Sequence, residues 1–184
     1  MKTISLHIMD IVQNSIRAKA QTVEIYIMAS EKKNILDIIV KDDGKGMNAE
    51  MLEQITDPFT TSRKDRKVGL GISLLKQNAE KTGGSFSISS APEKGTMLNA
   101  TFTLNNLDTP PIGDIVDTMV ALTSGNPNND FIYSHITDAG EYTFKTKKVK
   151  KILGDIAIYD TQVTKFLREM IKENILENCK IKVD

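Results

Sequence analysis

The feature that most constrains this chain is the passage ILDIIVKDDGKGM, from Ile35 to Met47. Ile35 to Val40 is a short apolar run rich in β-branched residues, which reads as a mostly buried strand. Asp42-Asp43-Gly44-Lys45-Gly46 then breaks it with turn chemistry. A buried strand that ends in carboxylates and glycines needs a sheet around it and close neighbours at its mouth. One reading is an ordinary Asp-Gly turn. The other is a carboxylate placed to accept a hydrogen bond from an exocyclic amine such as adenine's, with glycines that let a ligand approach. The passage is not a Walker loop, because no Gly-Lys-Ser/Thr follows at the required spacing. It also lacks the alternating acids of an EF-hand.

The elements around it are legible as hydrophobic periodicities. Ile8 to Ala20 reads as a helix, with Ile8, Ile11, Val12 and Ile16 on one face. Thr22 to Met28 alternates as a strand. Asn48 caps a short helix through Gln54. A loop runs to Val68, and a further helix runs from near Gly69 to Thr82, closed by Gly83-Gly84. Ser85–Ser90 and Met97–Leu104 read as an antiparallel pair. The composition shifts at NNLDTPP, residues 105–111. The division expected is a first domain over residues 1–106 and a small α+β domain over 107–184. The second contains a helix around Ile115–Leu122, a hairpin of Asp130–Ile136 with Glu141–Thr146, and a helix from Thr161 to Glu177. The fold class expected is α+β, with helices on one face of a mixed sheet.

Composition narrows the function. The 184 residues carry 24 Lys+Arg and 24 Asp+Glu, for zero net charge, which argues against a nucleic-acid partner. A single cysteine, Cys179, fits a reducing cytoplasm. The N-terminus meets Asp10 and Gln13 too early for a signal peptide, and no apolar run reaches the length of a membrane span.

Two further sets of residues carry chemistry. Asp10 and Asn14 stand four apart on the first helix and project from one face. They read either as a routine polar stripe or as a carboxylate that orients a water beside an oxygen ligand for Mg²⁺, which completes its shell with water and phosphate. DPFTTSRKDRKVGLGISLL, residues 57–75, places Thr60, Thr61, Ser62, Arg63, Arg66 and Lys67 ahead of Gly69-Leu70-Gly71-Ile72. Glycines at a helix start expose amides to an anion, and the hydroxyls and cations upstream suit polyphosphate. The alternative is a solvated charged loop. His7 lies one turn before Asp10 and Ile11, near that face. His135 sits in the predicted strand FIYSHI, where a structural role is the simpler reading.

Taken in order, D-x-x-x-N, D-x-G-x-G, D-P-F-T-T-S-R with G-L-G-I, and Gly95-Thr96 resemble the GHKL superfamily of gyrase, ninety-kilodalton heat-shock chaperones, histidine kinases and mismatch-repair ATPases. Residues 5 to 104 carry the resemblance, most closely to the catalytic domain of sensor histidine kinases. It implies the Bergerat α/β sandwich and an ATP site. Asp42 would bind the adenine amino group, Gly44 and Gly46 would make room for the base, and Met47 would pack on it. Thr96 would support Asp42 through a water, and Asn14 would ligate Mg²⁺. Thr60 to Val68 would form the lid, and Gly69 to Ile72 would bring amides to the phosphates. Arg17 sits where histidine kinases carry a lysine near phosphate. Asp10 sits where the hydrolysing branches carry a glutamate.

The first box begins near residue 7, which leaves no room ahead of it for the dimerisation and phosphoacceptor region of a histidine kinase. The functions expected are therefore a nucleotide-dependent regulatory switch or slow ATPase with a protein partner contacted through the lid or the C-terminal domain. The alternative is a kinase acting in trans on a serine or histidine of a partner, as anti-sigma-factor kinases do. A DNA-repair or topology subunit fits the neutral charge poorly.

Overall fold

The computed structural model describes residues 2–56 and 71–180. The expected lid, with Thr60, Thr61, Ser62, Arg63, Lys67 and Val68, and the helix opening at Gly69 and Leu70 lie outside the described residues. The elements run α1 Ile4–Arg17, β1 Thr22–Ser30, β2 Ile35–Asp42, α2 Ala49–Thr56, α3 Gly71–Lys81, β3 Ser85–Ser90, β4 Thr96–Thr103, α4 Ile115–Gly125, β5 Asp130–Thr137, β6 Gly140–Lys145, α5 Thr146–Leu153 and α6 Thr161–Cys179.

The six strands form one sheet in the order β3-β4-β2-β1-β5-β6. Neighbours are antiparallel except β1 and β5, which are parallel. Alternate residues of each strand face the helices: Val23, Ile25 and Ile27 of β1, Leu36, Ile38 and Val40 of β2, Leu98, Ala100 and Phe102 of β4, and Phe131 and Tyr133 of β5 are all buried. Ile4, Ile8, Ile11 and Val12 of α1, Leu75 and Ala79 of α3, Met119 and Leu122 of α4, and Leu167, Ile171 and Ile175 of α6 close over them as one core. This is the mixed sheet with helices that the periodicities predict.

Three differences have physical causes. First, α1 begins at Ile4 rather than Ile8. Thr3 caps it, accepting from the Leu6 amide at 3.4 Å. The next two amides, of Ile4 and Ser5, donate to the carbonyls of Pro111 and Ile112 at 2.9 and 2.8 Å. A distant segment thus completes the helix start. Second, α5 was not expected, because TKKVKKIL has few apolar residues; Thr146 anchors it, accepting from the Phe131 amide at 2.8 Å. Third, the boundary expected at residue 106 falls in a loop and not in a gap of the sheet. The helix and hairpin beyond it pack on α1 and extend β1.

His135 lies inside this core, 1% exposed, with Nδ1 2.6 Å from the Tyr133 hydroxyl. Burial lowers its pKa to about 4 and raises that of Tyr133, so the phenol donates to a neutral imidazole. The unfolded chain therefore binds more protons between pH 6.5 and 4. The stabilisation is complete above pH 6.5 and is lost as pH falls toward 4. Urea unfolding at pH 7.5 and pH 5 is expected to differ by about 2 kcal/mol from this group alone, and His135→Leu should remove that part of the slope. An unchanged slope in the variant would contradict the assignment. No helix among the described residues is long and apolar enough to cross a membrane.

Candidate functional site

Asp42 closes β2 on the core-facing side and is 8% exposed. Its Oδ2 accepts from the Ser15 hydroxyl at 2.6 Å and its Oδ1 from the Gly44 amide at 2.9 Å. A carboxylate has about four acceptor positions, so each oxygen keeps one free. Asp43 turns the other way and binds the amides of Gln21 and Thr22 at 2.7 and 2.8 Å. Of two adjacent aspartates, one faces inward and the other ties the loop to the start of β1.

The glycines around Asp42 are places where backbones meet. Gly46 has φ +62°, and a Cβ there would stand 1.9 Å from the Ala91 carbonyl oxygen. Gly95 has φ +75°, and its Cβ would stand 1.9 Å from the Asp42 carbonyl oxygen. A side chain at either position would part the β3–β4 turn from the Asp42 loop. At Gly44 the nearest atoms are the Ala18 carbonyl oxygen at 2.9 Å and Asp42 Oδ1 at 3.0 Å. Lys45 donates to Ala18 and Glu93 donates to Lys45, at 2.9 and 2.7 Å, binding the loop to α1 and to the hairpin.

A cavity of about 70 Å³ opens at Asp42. Its polar lining is Asn14, Ser15, Asp42 and Thr96, and its apolar walls include Ile11, Val40, Met47, Ile55, Ile72 and Leu98. Asp42 and Thr96 face each other across the β2–β4 register. They also line a second cavity of about 280 Å³ with Ser90 and Gly95. Ser90 organises this side: its oxygen accepts from the Met47 amide at 2.9 Å, and lies 2.8 Å from the Gly95 carbonyl and 3.0 Å from Thr96 Oγ1.

Asp10 and Asn14 lie along α1 toward the start of α3. Asp10 Oδ2 and Asn14 Nδ2 are buried without a hydrogen-bond partner among the described residues. A Cβ on Gly71 would stand 1.9 Å from Asp10 Oδ2, so α3 begins directly against that carboxylate. Buried orphan groups of this kind are uncommon and mark positions where a ligand or water completes the set. Asn14 Oδ1 accepts from the Arg17 guanidinium at 2.7 Å. Among the described residues no group of three or more His, Cys, Asp or Glu could hold a metal. A cation here would take one or two protein oxygens and complete its shell from phosphate and water, as Mg²⁺ does. His7 is fully buried beside this site, with Nε2 3.1 Å from Asn78 Nδ2, and does not line the cavity. Burial lowers its pKa, partly opposed by the Gly71 backbone.

The structure therefore brings Asn14, Asp42, Met47, Ile72 and Thr96 to one cavity, with Gly44 and Gly46 in its rim loop and Asp10 and Gly71 beside it. Arg17 reaches the site through Asn14. The sequence reading missed Ser15 and Ser90. Ser15 carried a signal, being a polar residue on the apolar face of Ile8, Ile11 and Val12. Ser90 carried none, since its role depends on a bond across the hairpin.

A family model described as histidine kinase-, DNA gyrase B- and HSP90-like ATPase matches residues 2–107. Among curated proteins, sporulation kinase A of Bacillus subtilis (strain 168) is 28% identical over 93 residues, 50% of this chain and 15% of that protein. Sensor histidine kinase ZraS of Escherichia coli O157:H7 is 36% identical over 91 residues, 50% of this chain and 19% of that protein. The match thus spans less than a fifth of either relative. Among solved structures, the Aquifex aeolicus MutL ATPase domain complexed with ADP superposes with a TM-score of 0.51 and 15% identity, over 92% of this chain and 88% of that one. At that identity the likeness is one of fold, and it runs well past residue 107. The chain belongs to the histidine kinase-, DNA gyrase B- and HSP90-like ATPases.

Proposed function

We propose that this chain binds Mg²⁺-ATP and works as a nucleotide-dependent switch or slow ATPase that reports to a protein partner. The observation that carries the reading is Asp42: a buried carboxylate, fixed by Ser15 and Gly44, with free acceptor positions in an apolar cavity. That is what a flat base with an exocyclic amine requires. Met47 and Ile72 supply apolar contact for the ring, and Thr96 stands opposite Asp42 to share a water with it.

The orphan atoms of Asp10 and Asn14 support a polar ligand along α1. Mg²⁺, where bound, would neutralise the phosphate oxygens. The chain's part is to offer the Asn14 oxygen, which accepts one bond from Arg17 and keeps a second acceptor position. The Arg17 guanidinium, held at Asn14, would add a cation at the phosphate end. Asp10 would orient water, and the close approach of Gly71 leaves little room for a longer carboxylate at that position. Thr60, Thr61, Ser62, Arg63, Lys67, Val68, Gly69 and Leu70 complete the proposal as a lid over the phosphates.

Asn14→Ala is expected to weaken Mg²⁺-dependent ATP binding and to leave adenosine binding unchanged, measured by calorimetry with each ligand. Equal losses for the two ligands would remove Asn14 from the phosphate end.

The kinase names of the relatives favour a second reading, phosphoryl transfer to a partner protein. Both histidines of the chain are buried, so a phosphoacceptor histidine would have to come from elsewhere. Incubation with γ-labelled ATP and cell lysate decides between the readings. A labelled polypeptide supports transfer, whereas phosphate release with no label leaves the switch or ATPase.

A further inference from the structure

The segment from Lys145 to Asp160 forms a surface that the nucleotide site does not use. Five lysines fall within seven residues, at 145, 147, 148, 150 and 151, in a chain of zero net charge. Lys150 is held by Asp130 at 2.9 Å and by the Asn129 carbonyl at 2.6 Å. Lys147, Lys148 and Lys151 are exposed and have no ion pair among the described residues. Lys147 and Lys151 stand four apart on α5, and Lys148 and Lys151 stand three apart, spacings at which like charges repel. The helix also has no side-chain cap. Lys150 ties the helix to β5 and Lys151 suits its C-terminal end, but no bond among the described residues accounts for Lys147 and Lys148.

Beside α5 runs a groove of about 420 Å³ whose lining includes Thr22, Ile132, Lys145, Lys147, Lys148 and Lys151. Asp130 also lines it, with its Oδ1 paired to Lys150 at 2.9 Å. In the last turn of the helix and just past it, large apolar side chains stand in water: Ile152 is 84% exposed, Ile156 58% and Tyr159 61%. Two turns hold this stretch compact, with Ile156 donating to Leu153 at 3.1 Å and Asp160 to Ala157 at 3.0 Å. Cations and exposed apolar residues in one short stretch, next to a concave groove, complement a segment that carries carboxylates and apolar anchors together. A phosphate backbone would satisfy the lysines and leave the apolar residues unused.

We propose that α5 and the turns after it dock an acidic segment of a partner protein, carboxylates on Lys147, Lys148 and Lys151 and apolar side chains on Ile152, Ile156 and Tyr159. The proposal names the partner's chemistry for the switch reading, but its geometry does not require an occupied nucleotide site.

The test uses the full chain and a short fluorescein-labelled peptide repeating Glu-Glu-Leu. Polyglutamate of equal length, duplex DNA, and vesicles of phosphatidylcholine with phosphatidylglycerol are the competing probes. The natural chain is expected to bind the Glu-Glu-Leu peptide more tightly than any of the three. Lys147→Glu/Lys148→Glu/Lys151→Glu should weaken that binding about tenfold or more. Ile152→Ser/Ile156→Ser should remove the preference over polyglutamate. Melting temperature and ATP binding should be retained in both variants, so loss of ATP binding in the natural chain would count against the nucleotide reading alone. Peptide binding equal in the natural chain and either variant, or tighter binding of DNA or vesicles, overturns the proposal.

Discussion

Asp42→Asn is expected to lose ATP binding by at least 10- to 100-fold, the equivalent of roughly 1.5–3 kcal/mol for one charge-assisted hydrogen bond. The replacement keeps the shape and one carbonyl oxygen. Gly44 keeps that oxygen, the new amide NH₂ stands beside Ser15, and its second N–H meets the adenine amine donor to donor. Two donors facing each other in a small apolar cavity cannot both find water, so the loss falls on the ligand. The fold should survive, because the Ser15 hydroxyl can accept from the new amide instead of donating. Calorimetry against ATP, with circular dichroism to check folding, reads both halves of this expectation. Wild-type affinity in the folded variant would place the nucleotide somewhere other than at Asp42.

Ile171→Ala is expected to cost about 2–5 kcal/mol, as large-to-small core substitutions do. Ile171 is fully buried on α6, in the stripe with Leu167, Ile175 and Cys179 that packs toward α4 and β6. At this chain length such a loss lowers the melting temperature by roughly 4–20 °C. The informative part is where the loss is felt. With one sheet and one core, the temperature at which ATP binding disappears should fall together with the helical signal. If residues 107–184 were an independent unit, the nucleotide site would melt at its original temperature while the C-terminal helices melted early.

Much of the first part was legible because its signals are local. Thr22–Met28 and Ile35–Val40 show their strand period in consecutive residues, and their faces follow from it. Gly46 was legible as a close approach, and the structure supplies the atom approached, the Ala91 carbonyl oxygen; the matching approach of Gly95 to the Asp42 carbonyl was not read from the sequence. What the sequence hid was pairing at a distance. Nothing in FIYSHIT says that it lies parallel to TVEIYIMA rather than in a sheet of its own, because the same alternation serves both. The start of α1 was hidden for the same reason, since its first amides are satisfied by residues 111 and 112. Ser15 was within reach, as a hydroxyl on an otherwise apolar face. Ser90 and α5 were not, because their places depend on contacts across the sheet.

The parallel pairing of β1 with β5 also orders events in time. Ser30 bonds to Asp138 at the end of that pairing, and the two are 108 residues apart. On the ribosome, β1 can pair with β2 within moments, but its other edge stays open until the chain past Thr137 has emerged. An open strand edge is a template for the wrong neighbour. The family-matched segment, residues 2–107, therefore passes through a period in which its central strand is unguarded. A chaperone or fast synthesis of the second half would matter most in that interval, and a fragment ending at residue 107 would remain in it permanently.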